Sequence, residues 1–295
     1  MYDCIIVGGG VAGLSASVYL RRKELKALLI TLDIGGRTNL PKYIVNYPGF
    51  KKIEGYKIPL NIKEHAEELG LEIKYEKVHE IKKHDNYFTV NNYAAKTVLL
   101  AFGKAPKTLN ARNEDKFIGD GVDYNIVNYK RYKGKKVVII GAGNSAFTSA
   151  KELKGIASEI TIIHRSEFKA DEILVNEVKS FCNFMQANVK EFKGDNKLKY
   201  ILLNDNNKIK IDNVIINIGF ENDISFLNNI VSLNELNEII INDRCETSEK
   251  GIFATGDCSS VPFKQSIISA GEGAKAALAI YQYLSGSKVK TDWVH

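Results

Sequence analysis

The chain has 295 residues, of which 44% are hydrophobic and 26% are charged, and its formal net charge is +6. This length suits two medium-sized domains better than one small domain. No apolar run approaches the roughly 18 residues of a membrane-spanning helix, and the N-terminus lacks the features of a signal peptide. No basic block is interleaved with aromatic residues, which argues against nucleic-acid binding. We therefore expect a cytoplasmic protein without membrane or nucleic-acid partners.

The cysteines and histidines form no recognisable metal or redox motif. The four cysteines are Cys4, Cys182, Cys245 and Cys258, and no two of them form a C-x-x-C pair. This spacing excludes a zinc ribbon and a local redox dithiol. The five histidines are scattered along the chain as well. The sequence therefore predicts no metal site.

The N-terminal segment predicts a strand, a glycine-rich loop and a helix. The strand is Tyr2–Val7, and the helix runs from Leu14 to Arg22, with a second strand at Ala27–Thr31. Between the strand and the helix lies a G-x-G-x-x-G pattern, whose glycines permit a tight turn, a close approach of pyrophosphate and close helix–strand packing. The helix N-terminus then binds the phosphates. The predicted dinucleotide contacts of this loop are Gly8, Gly10, Ala12 and Gly13.

Two residues of this chain compete for the position of the acid that usually binds the ribose after the second strand. Asp33 has about the right spacing from the glycines, whereas Thr31 lies nearer the end of the strand. Both residues are candidate cofactor contacts. The alternative for Asp33 is a turn residue before Gly35 and Gly36.

A second strand–glycine–helix unit begins at Lys136. A strand at Val137–Ile140 precedes a Gly-Ala-Gly-Asn-Ser-Ala loop, and the following strand, Glu159–Ile163, ends in a histidine and an arginine. A cation there suits the 2′-phosphate of NADP, whereas an acid favours NAD. We predict NADPH and keep NADH as the alternative. The predicted contacts are Gly141, Gly143, Asn144, Ser145, His164, Arg165 and Lys169.

Two dinucleotide sites in one chain indicate a redox enzyme. Nicotinamide supplies a hydride, and a flavin is the second dinucleotide that most simply receives it. The competing account is a duplicated domain in which only one site binds a dinucleotide.

Several further segments carry a family resemblance. Gly35-Gly36-Arg37, the 45–50 segment Val-Asn-Tyr-Pro-Gly-Phe, and Ala101-Phe102-Gly103 resemble characteristic segments of the low-molecular-weight thioredoxin reductases. So do the 251–257 segment Gly-Ile-Phe-Ala-Thr-Gly-Asp and the 264–266 segment Lys-Gln-Ser. The resemblance covers nearly the whole chain. It implies flavin-side contacts by Gly36, Arg37, Asn46, Gly103, Gly256, Asp257, Gln265 and Ser266.

The resemblance also implies the organisation of the fold. We expect an α/β protein with two Rossmann-type three-layer domains, in which residues 1–112 and 244–295 form a discontinuous FAD-binding domain. Residues 113–243 would form the inserted NAD(P)H-binding domain. The resemblance further implies a homodimer.

The chain departs from this family at two places. The family's redox cysteines correspond to Asn125 and Asn128, and an amide side chain can form neither a thiolate nor a mixed disulfide. At the second place, the family's H-R-R-D-x-F-R-A segment corresponds to the 164–170 segment His-Arg-Ser-Glu-Phe-Lys-Ala of this chain. The segment of this chain is one residue shorter, lacks one arginine and has lysine in place of another, which weakens the predicted phosphate site.

We therefore predict an FAD-dependent NAD(P)H oxidoreductase that passes electrons to a non-dithiol acceptor: ferredoxin, free flavin, a quinone or dioxygen. The net charge of +6 would suit an acidic electron-transfer protein such as ferredoxin, and the alternative is a lysine-rich surface that faces only solvent. The alternatives are a disulfide reductase that uses distant cysteines and a non-catalytic FAD- or nucleotide-binding protein. Trp293, in the short C-terminal tail, is a candidate to stack on the flavin or on the partner subunit, and the alternative is that it packs on the protein's own surface.

Overall fold

The computed structural model describes residues 1–126 and 128–286, and these divide into two compact units. Unit 1 comprises residues 1–105 together with the chain from Asn222 onwards, and unit 2 comprises Pro106–Glu221. The boundaries predicted from sequence, after residues 112 and 243, both lie further along the chain. The second difference has a physical reason, because Phe226 and Leu227 are buried in the same hydrophobic core as Ile5 of unit 1.

The elements are as follows in chain order. The first part of unit 1 contains β1 (Tyr2–Gly10), α1 (Val11–Arg22), β2 (Ala27–Gly35), β3 (Tyr43–Ile44), β4 (Ile53–Glu54), α2 (Lys57–Glu68), β5 (Glu72–Tyr75), β6 (Ile81–Lys83), β7 (Phe88–Val90) and β8 (Tyr93–Leu100). The chain passes into unit 2 at β9 (Ala105–Pro106). There follow β10 (Val122–Asp123), β11 (Lys136–Ile140), α3 (Asn144–Leu153), β12 (Glu159–His164), α4 (Glu172–Lys179), β13 (Asn183–Gln186), β14 (Val189–Gly194), β15 (Leu198–Leu203), β16 (Lys208–Lys210), β17 (Asn213–Ile216) and β18 (Phe220–Glu221). Unit 1 then resumes with β19 (Ile252–Ala254) and α5 (Ser266–Ser285). Short 3-10 turns lie at Gly36–Asn39, Asp115–Phe117, Tyr129–Tyr132, Ser225–Leu227 and Gly256–Cys258.

Unit 1 is built on a parallel sheet. Its strands lie in the order β5-β2-β1-β8, with β19 on the far side of β8, and β7 and β6 continue from β8 as antiparallel strands. The central strands are nearly continuous apolar runs, as expected for a parallel sheet that is covered on both faces. On β1, for example, the four residues from Cys4 to Val7 are all buried.

Two hydrophobic clusters draw on alternate residues of these strands. Cys4 and Ile6 pack with Leu14 and Leu20 of α1 and with Ile280 of α5 in one cluster. Ile5 and Val7 belong to a different cluster, which also includes Phe226 and Leu227. Because successive side chains of a strand point to opposite faces, the two clusters cover the two faces of the sheet.

Unit 2 repeats the same architecture. Its sheet is parallel throughout, in the order β10-β17-β11-β12-β13. Between β13 and β17 in the chain, β14, β15 and β16 form a separate antiparallel sheet of three strands. Phe147 and Leu153 of α3 pack with Ile139 and Ile162 of the parallel sheet. The predicted α/β class is therefore confirmed in both units.

The described residues offer no support for a membrane span or a metal centre. Among residues 1–126 and 128–286, no helix combines the length and apolar character required to cross a bilayer. In the same part of the chain, no cluster of histidine, cysteine or carboxylate side chains could hold a metal ion.

Candidate dinucleotide sites

The glycine loop of unit 1 closes tightly at its ends and is open in its middle. A Cβ on Gly8, which has φ +111°, would lie 2.4 Å from the carbonyl oxygen of Ala101. A Cβ on Gly13 would lie 2.0 Å from the carbonyl oxygen of Gly8, so α1 packs closely on β1. A Cβ on Gly10 would meet no atom within 4 Å. The loop therefore leaves free space at one position only, beside the start of α1.

The N-terminus of α1 is free of side-chain caps. Gly10 is the N-cap residue and has an extended conformation. No side chain forms a capping hydrogen bond with the first amides of the helix, and no acidic residue lies in the first turn. The first amide groups of a helix have no partner within the helix and carry its positive dipole end. The open space at Gly10 lies beside these amides, so the loop fits a pyrophosphate. Ala12 is buried in the same turn, where its Cβ is 3.0 Å from the position of a Cβ on Gly256.

Thr31 supports the loop from the second strand. Its hydroxyl accepts a hydrogen bond from the Gly9 amide at 2.8 Å and donates to the carbonyl of Asp33 at 2.6 Å. Both hydrogen bonds of the Thr31 hydroxyl are therefore made to the backbone, at Gly9 and at Asp33. Asp33 is exposed at the end of β2, and its carboxylate accepts a 3.3 Å hydrogen bond from the Gly36 amide. Of the two residues, Asp33 is the better placed to contact a ribose.

Three side-chain pairs bring the two halves of unit 1 together. Arg37 Nη1 lies 2.6 Å from Asp257 Oδ2. Asn46 Nδ2 donates to Gln265 Oε1 at 3.1 Å, and the hydroxyls of Thr38 and Ser266 are 3.2 Å apart. Residues that lie more than 200 positions apart in sequence thus pair with each other in unit 1. Sequence reasoning missed Thr38, although it directly follows Gly36 and Arg37.

The remaining flavin-side residues lie at turns of the same unit. Gly103 follows the end of β8 with φ +64°, and Gly256 follows β19 with φ +72°. Gly273 of α5 is also constrained, because its Cβ would lie 2.1 Å from the carbonyl oxygen of Ala12. The C-terminal helix is thereby held against the first turn of α1.

The glycine loop of unit 2 has the same design. A Cβ on Gly141 would lie 2.2 Å from the carbonyl oxygen of Asn217, whereas a Cβ on Gly143 would meet nothing within 4 Å. Asn144 begins α3 and is fixed by Asp171, with reciprocal hydrogen bonds of 3.0 and 2.7 Å. Ser145 is exposed in the first turn. The open space again lies at the start of a helix, where it fits a second dinucleotide.

The end of β12 adds two cations to this loop. The Lys169 amide donates to the carbonyl of Ala142 at 2.7 Å, which fixes the backbone of this lysine against the glycine loop. Lys169 and Arg165 are exposed, and within residues 1–126 and 128–286 neither side chain forms an ion pair. His164 is occupied differently, since its ring packs on Phe168 with centroids 4.6 Å apart. Arg165 and Lys169 are therefore available to a phosphate, and His164 shapes the strand end.

Comparisons with known proteins agree with this geometry. Residues 2–278 match the family described as pyridine nucleotide-disulphide oxidoreductase. The chain belongs to this family. A component of the alkyl hydroperoxide reductase of Escherichia coli is 32% identical over 311 residues, which cover 97% of this chain and 59% of that protein. NADH dehydrogenase of Bacillus subtilis is 32% identical over 298 residues, which cover 96% and 58%.

A solved structure extends the likeness to the fold. Thioredoxin reductase of Lactococcus lactis, in its FR conformation, has a TM-score of 0.83 at 28% identity, with 97% of this chain and 100% of that chain covered. The predicted pair of Rossmann-type domains is thus confirmed. Membership also confirms the predicted class, a flavin-dependent NAD(P)H oxidoreductase with FAD and NAD(P)H as cofactors. The chain spans less than two thirds of the length of either curated relative.

The segment that contains Asn125 and Asn128 has a structural role. Asn128 is the N-cap of the turn Tyr129–Tyr132, and its side-chain oxygen accepts a hydrogen bond from the Lys130 amide at 3.0 Å. Asn125 is half-buried. Val127 lies outside the described residues, as does Trp293, so the predicted role of that tryptophan stays a prediction.

The four cysteines are free and poorly suited to replace the missing dithiol. Cys4, Cys245 and Cys258 are buried, and Cys182 is half-buried. Burial raises the pKa of Cys4 and Cys245 to about 12 and that of Cys182 and Cys258 to about 11. Because the thiolate is the reactive form, none of the four is a competent nucleophile at neutral pH.

Proposed function

We propose that this protein transfers a hydride from NAD(P)H to FAD and passes the electrons to an acceptor other than a protein dithiol. The proposal rests on the absence of a C-x-x-C pair from a chain with two open glycine loops, in which Asn125 and Asn128 hold the positions that the family resemblance gives to the redox cysteines. When bound, FAD would take two electrons with the hydride and release them to the acceptor. Ferredoxin, free flavin, a quinone and dioxygen are the candidate acceptors.

The residues of unit 1 would bind and orient the flavin. The first turn of α1 would hold the pyrophosphate at Gly10, and Asp257 would accept hydrogen bonds from the ribitol chain while paired with Arg37. Asn46 and Gln265, which bond to each other, would lie on the flavin side. No general acid or base is needed for hydride transfer to a flavin.

The nicotinamide preference depends on unit 2. The exposed Arg165 and Lys169 favour NADPH, because a charged hydrogen bond to a 2′-phosphate contributes roughly 1.5–3 kcal/mol. The relative from Bacillus subtilis is named as an NADH dehydrogenase, which supports NADH as the second candidate. The homodimer, the acidic partner and the cytoplasmic location stay predictions.

Turnover without thiols tests the proposal. We would replace all four cysteines by alanine, load the variant with FAD, and measure NAD(P)H oxidation with ferredoxin, a quinone, free flavin and dioxygen in turn. The rate with at least one acceptor should match that of the wild type. A rate that falls to background while FAD stays bound would contradict the proposal and favour a disulfide reductase with distant cysteines. If neither the wild type nor the variant oxidises NAD(P)H with any acceptor, the non-catalytic alternative is favoured.

A further inference from the structure

A compact ion cluster lies between segments that we assign to the flavin site. Lys104 Nζ and Lys264 Nζ lie 2.9 and 3.1 Å from the same atom, Glu238 Oε1. Asn234 Nδ2 donates to the other carboxylate oxygen at 3.1 Å. The Glu238 side chain is 8% exposed, and the two lysines are 18% and 21% exposed. Both pairs are therefore shielded from water far more than a surface salt bridge.

Each lysine adjoins a predicted flavin contact. Lys104 directly follows Gly103, and Lys264 directly precedes Gln265. The Lys264 ammonium also donates to the carbonyl of Ser259, two residues after Asp257. One carboxylate thus ties the segment after β8 to the segment that leads into α5.

The backbone on either side of Glu238 is fixed against the same segment. The Ile239 amide donates to the Cys258 carbonyl at 2.9 Å, and the Ser260 amide donates back to the Ile239 carbonyl at 2.9 Å. On the other side, Asn222 Nδ2 donates to the Asn237 carbonyl at 2.6 Å. Since its backbone is held on both sides, the Glu238 carboxylate has little freedom to find other partners.

The electrostatics of the cluster depend on this one carboxylate. Burial acts to raise the pKa of Glu238, but hydrogen bonds from Lys104, Asn234 and Lys264 outweigh burial and lower it. The carboxylate is therefore ionised at neutral pH and compensates two shielded ammonium groups. Removing its charge would leave those cations facing each other without a counterion, which is strongly unfavourable in a buried setting.

We propose that Glu238 is a positioning residue for the flavin site, which holds the segments of Gly103 and Gln265 in the arrangement that binds FAD. The inference rests on the proposed function in taking FAD as the cofactor. Glu238 would act through the two lysines that it pairs with. Its loss should accordingly weaken FAD binding in addition to lowering the stability of the apoprotein.

The test is the FAD affinity of the apoprotein, measured by fluorescence titration, in parallel with the thermal midpoint of the same apoprotein. Glu238→Gln should raise the Kd for FAD at least about tenfold, since it removes the charge that Lys104 and Lys264 bind and so loosens the segments of Gly103 and Gln265. Asp3→Asn is the matched control, because Asp3 pairs with Lys96 at 2.8 Å and lies at the end of β1 opposite the glycine loop. It should lower the thermal midpoint and leave the Kd unchanged.

A second pair of variants guards against a general folding defect. Lys264→Met should weaken FAD binding, whereas Lys264→Arg, which keeps the charge, should retain most of it. Wild-type affinity in both Glu238→Gln and Lys264→Met would overturn the inference, as would an Asp3→Asn variant that loses as much affinity as Glu238→Gln. A wild type that binds FAD but is not reduced by NAD(P)H would contradict the proposed function alone.

Discussion

The glycines in the two dinucleotide loops are required for different reasons, some by the fold and others by the ligand. Gly8 and Gly13 are required by the fold itself, because a Cβ at either position would overlap backbone atoms. Gly10 and Gly143 face open space, so the fold alone does not require glycine there. Their reason to be glycine is the close approach of a ligand to the backbone.

This difference predicts that two alanine substitutions in one loop affect different quantities, one the affinity for FAD and the other the free energy of unfolding. Gly10→Ala, at a residue with φ −72°, should keep the wild-type free energy of unfolding but lower FAD affinity at least about tenfold, because the methyl group fills the space for the pyrophosphate. Gly13→Ala should lower the free energy of unfolding by about 1–3 kcal/mol or more through overpacking. Urea unfolding and FAD titration measure both quantities. Equal loss of stability in the two variants would contradict this assignment.

The cysteines give a pH-dependent prediction. Burial raises the pKa of Cys258 to about 11 and that of Cys4 to about 12, whereas an unfolded thiol has a pKa of about 8.5. Above that value the unfolded state loses thiol protons that the folded state keeps, so the free energy of unfolding should fall as the pH rises from about 8.5 to 11. Alanine at Cys4, Cys245 and Cys258 should reduce this fall. An equally steep fall in that variant would show that these thiols are not buried.

At the scale of elements, the sequence was most informative where strand, loop and helix follow each other directly. The strands and helices around both glycine loops were predicted within a few residues, because apolar runs and glycine spacing are local signals. The predicted strand ends of β1 and β2 were too early, since both strands continue through glycines or polar residues to Gly10 and Gly35. Such extensions depend on pairing between strands, as at Gly10 and Gly35, which no local pattern reveals.

The end of β12 carries a prediction on cofactor choice. Replacing Arg165 and Lys169 by alanine should raise the KM for NADPH about tenfold to a hundredfold, because one or more charged contacts to the 2′-phosphate are lost. The KM for NADH should stay unchanged. Lys210→Ala, an exposed lysine of β16 in the same unit, is the control and should affect neither. A parallel rise for both nucleotides would show that these cations do not read the 2′-phosphate.

At the scale of the whole molecule, the discontinuous organisation followed from a family resemblance and not from local patterns. The sequence placed the second domain boundary after residue 243, whereas the structure places it after Glu221. The intervening residues carry no strong periodicity, and their tertiary contacts assign them to unit 1: their packing with Ile5 and Val98 and the hydrogen bonds of Ile239 with the 258–260 segment. The ion cluster around Glu238 is not predictable from local patterns either, because Lys104 and Glu238 lie 134 positions apart.

We propose that electrons leave the reduced flavin without passing through a protein dithiol, and an anaerobic titration distinguishes this route from one through a disulfide. NADPH or NADH is added stepwise to the FAD-loaded protein while flavin absorbance is followed. We expect full bleaching at about one equivalent per FAD, because one hydride carries both electrons and the four cysteines form no disulfide that could take more. An endpoint at about two equivalents would reveal a redox-active disulfide. Flavin that neither nucleotide bleaches would contradict the oxidoreductase itself.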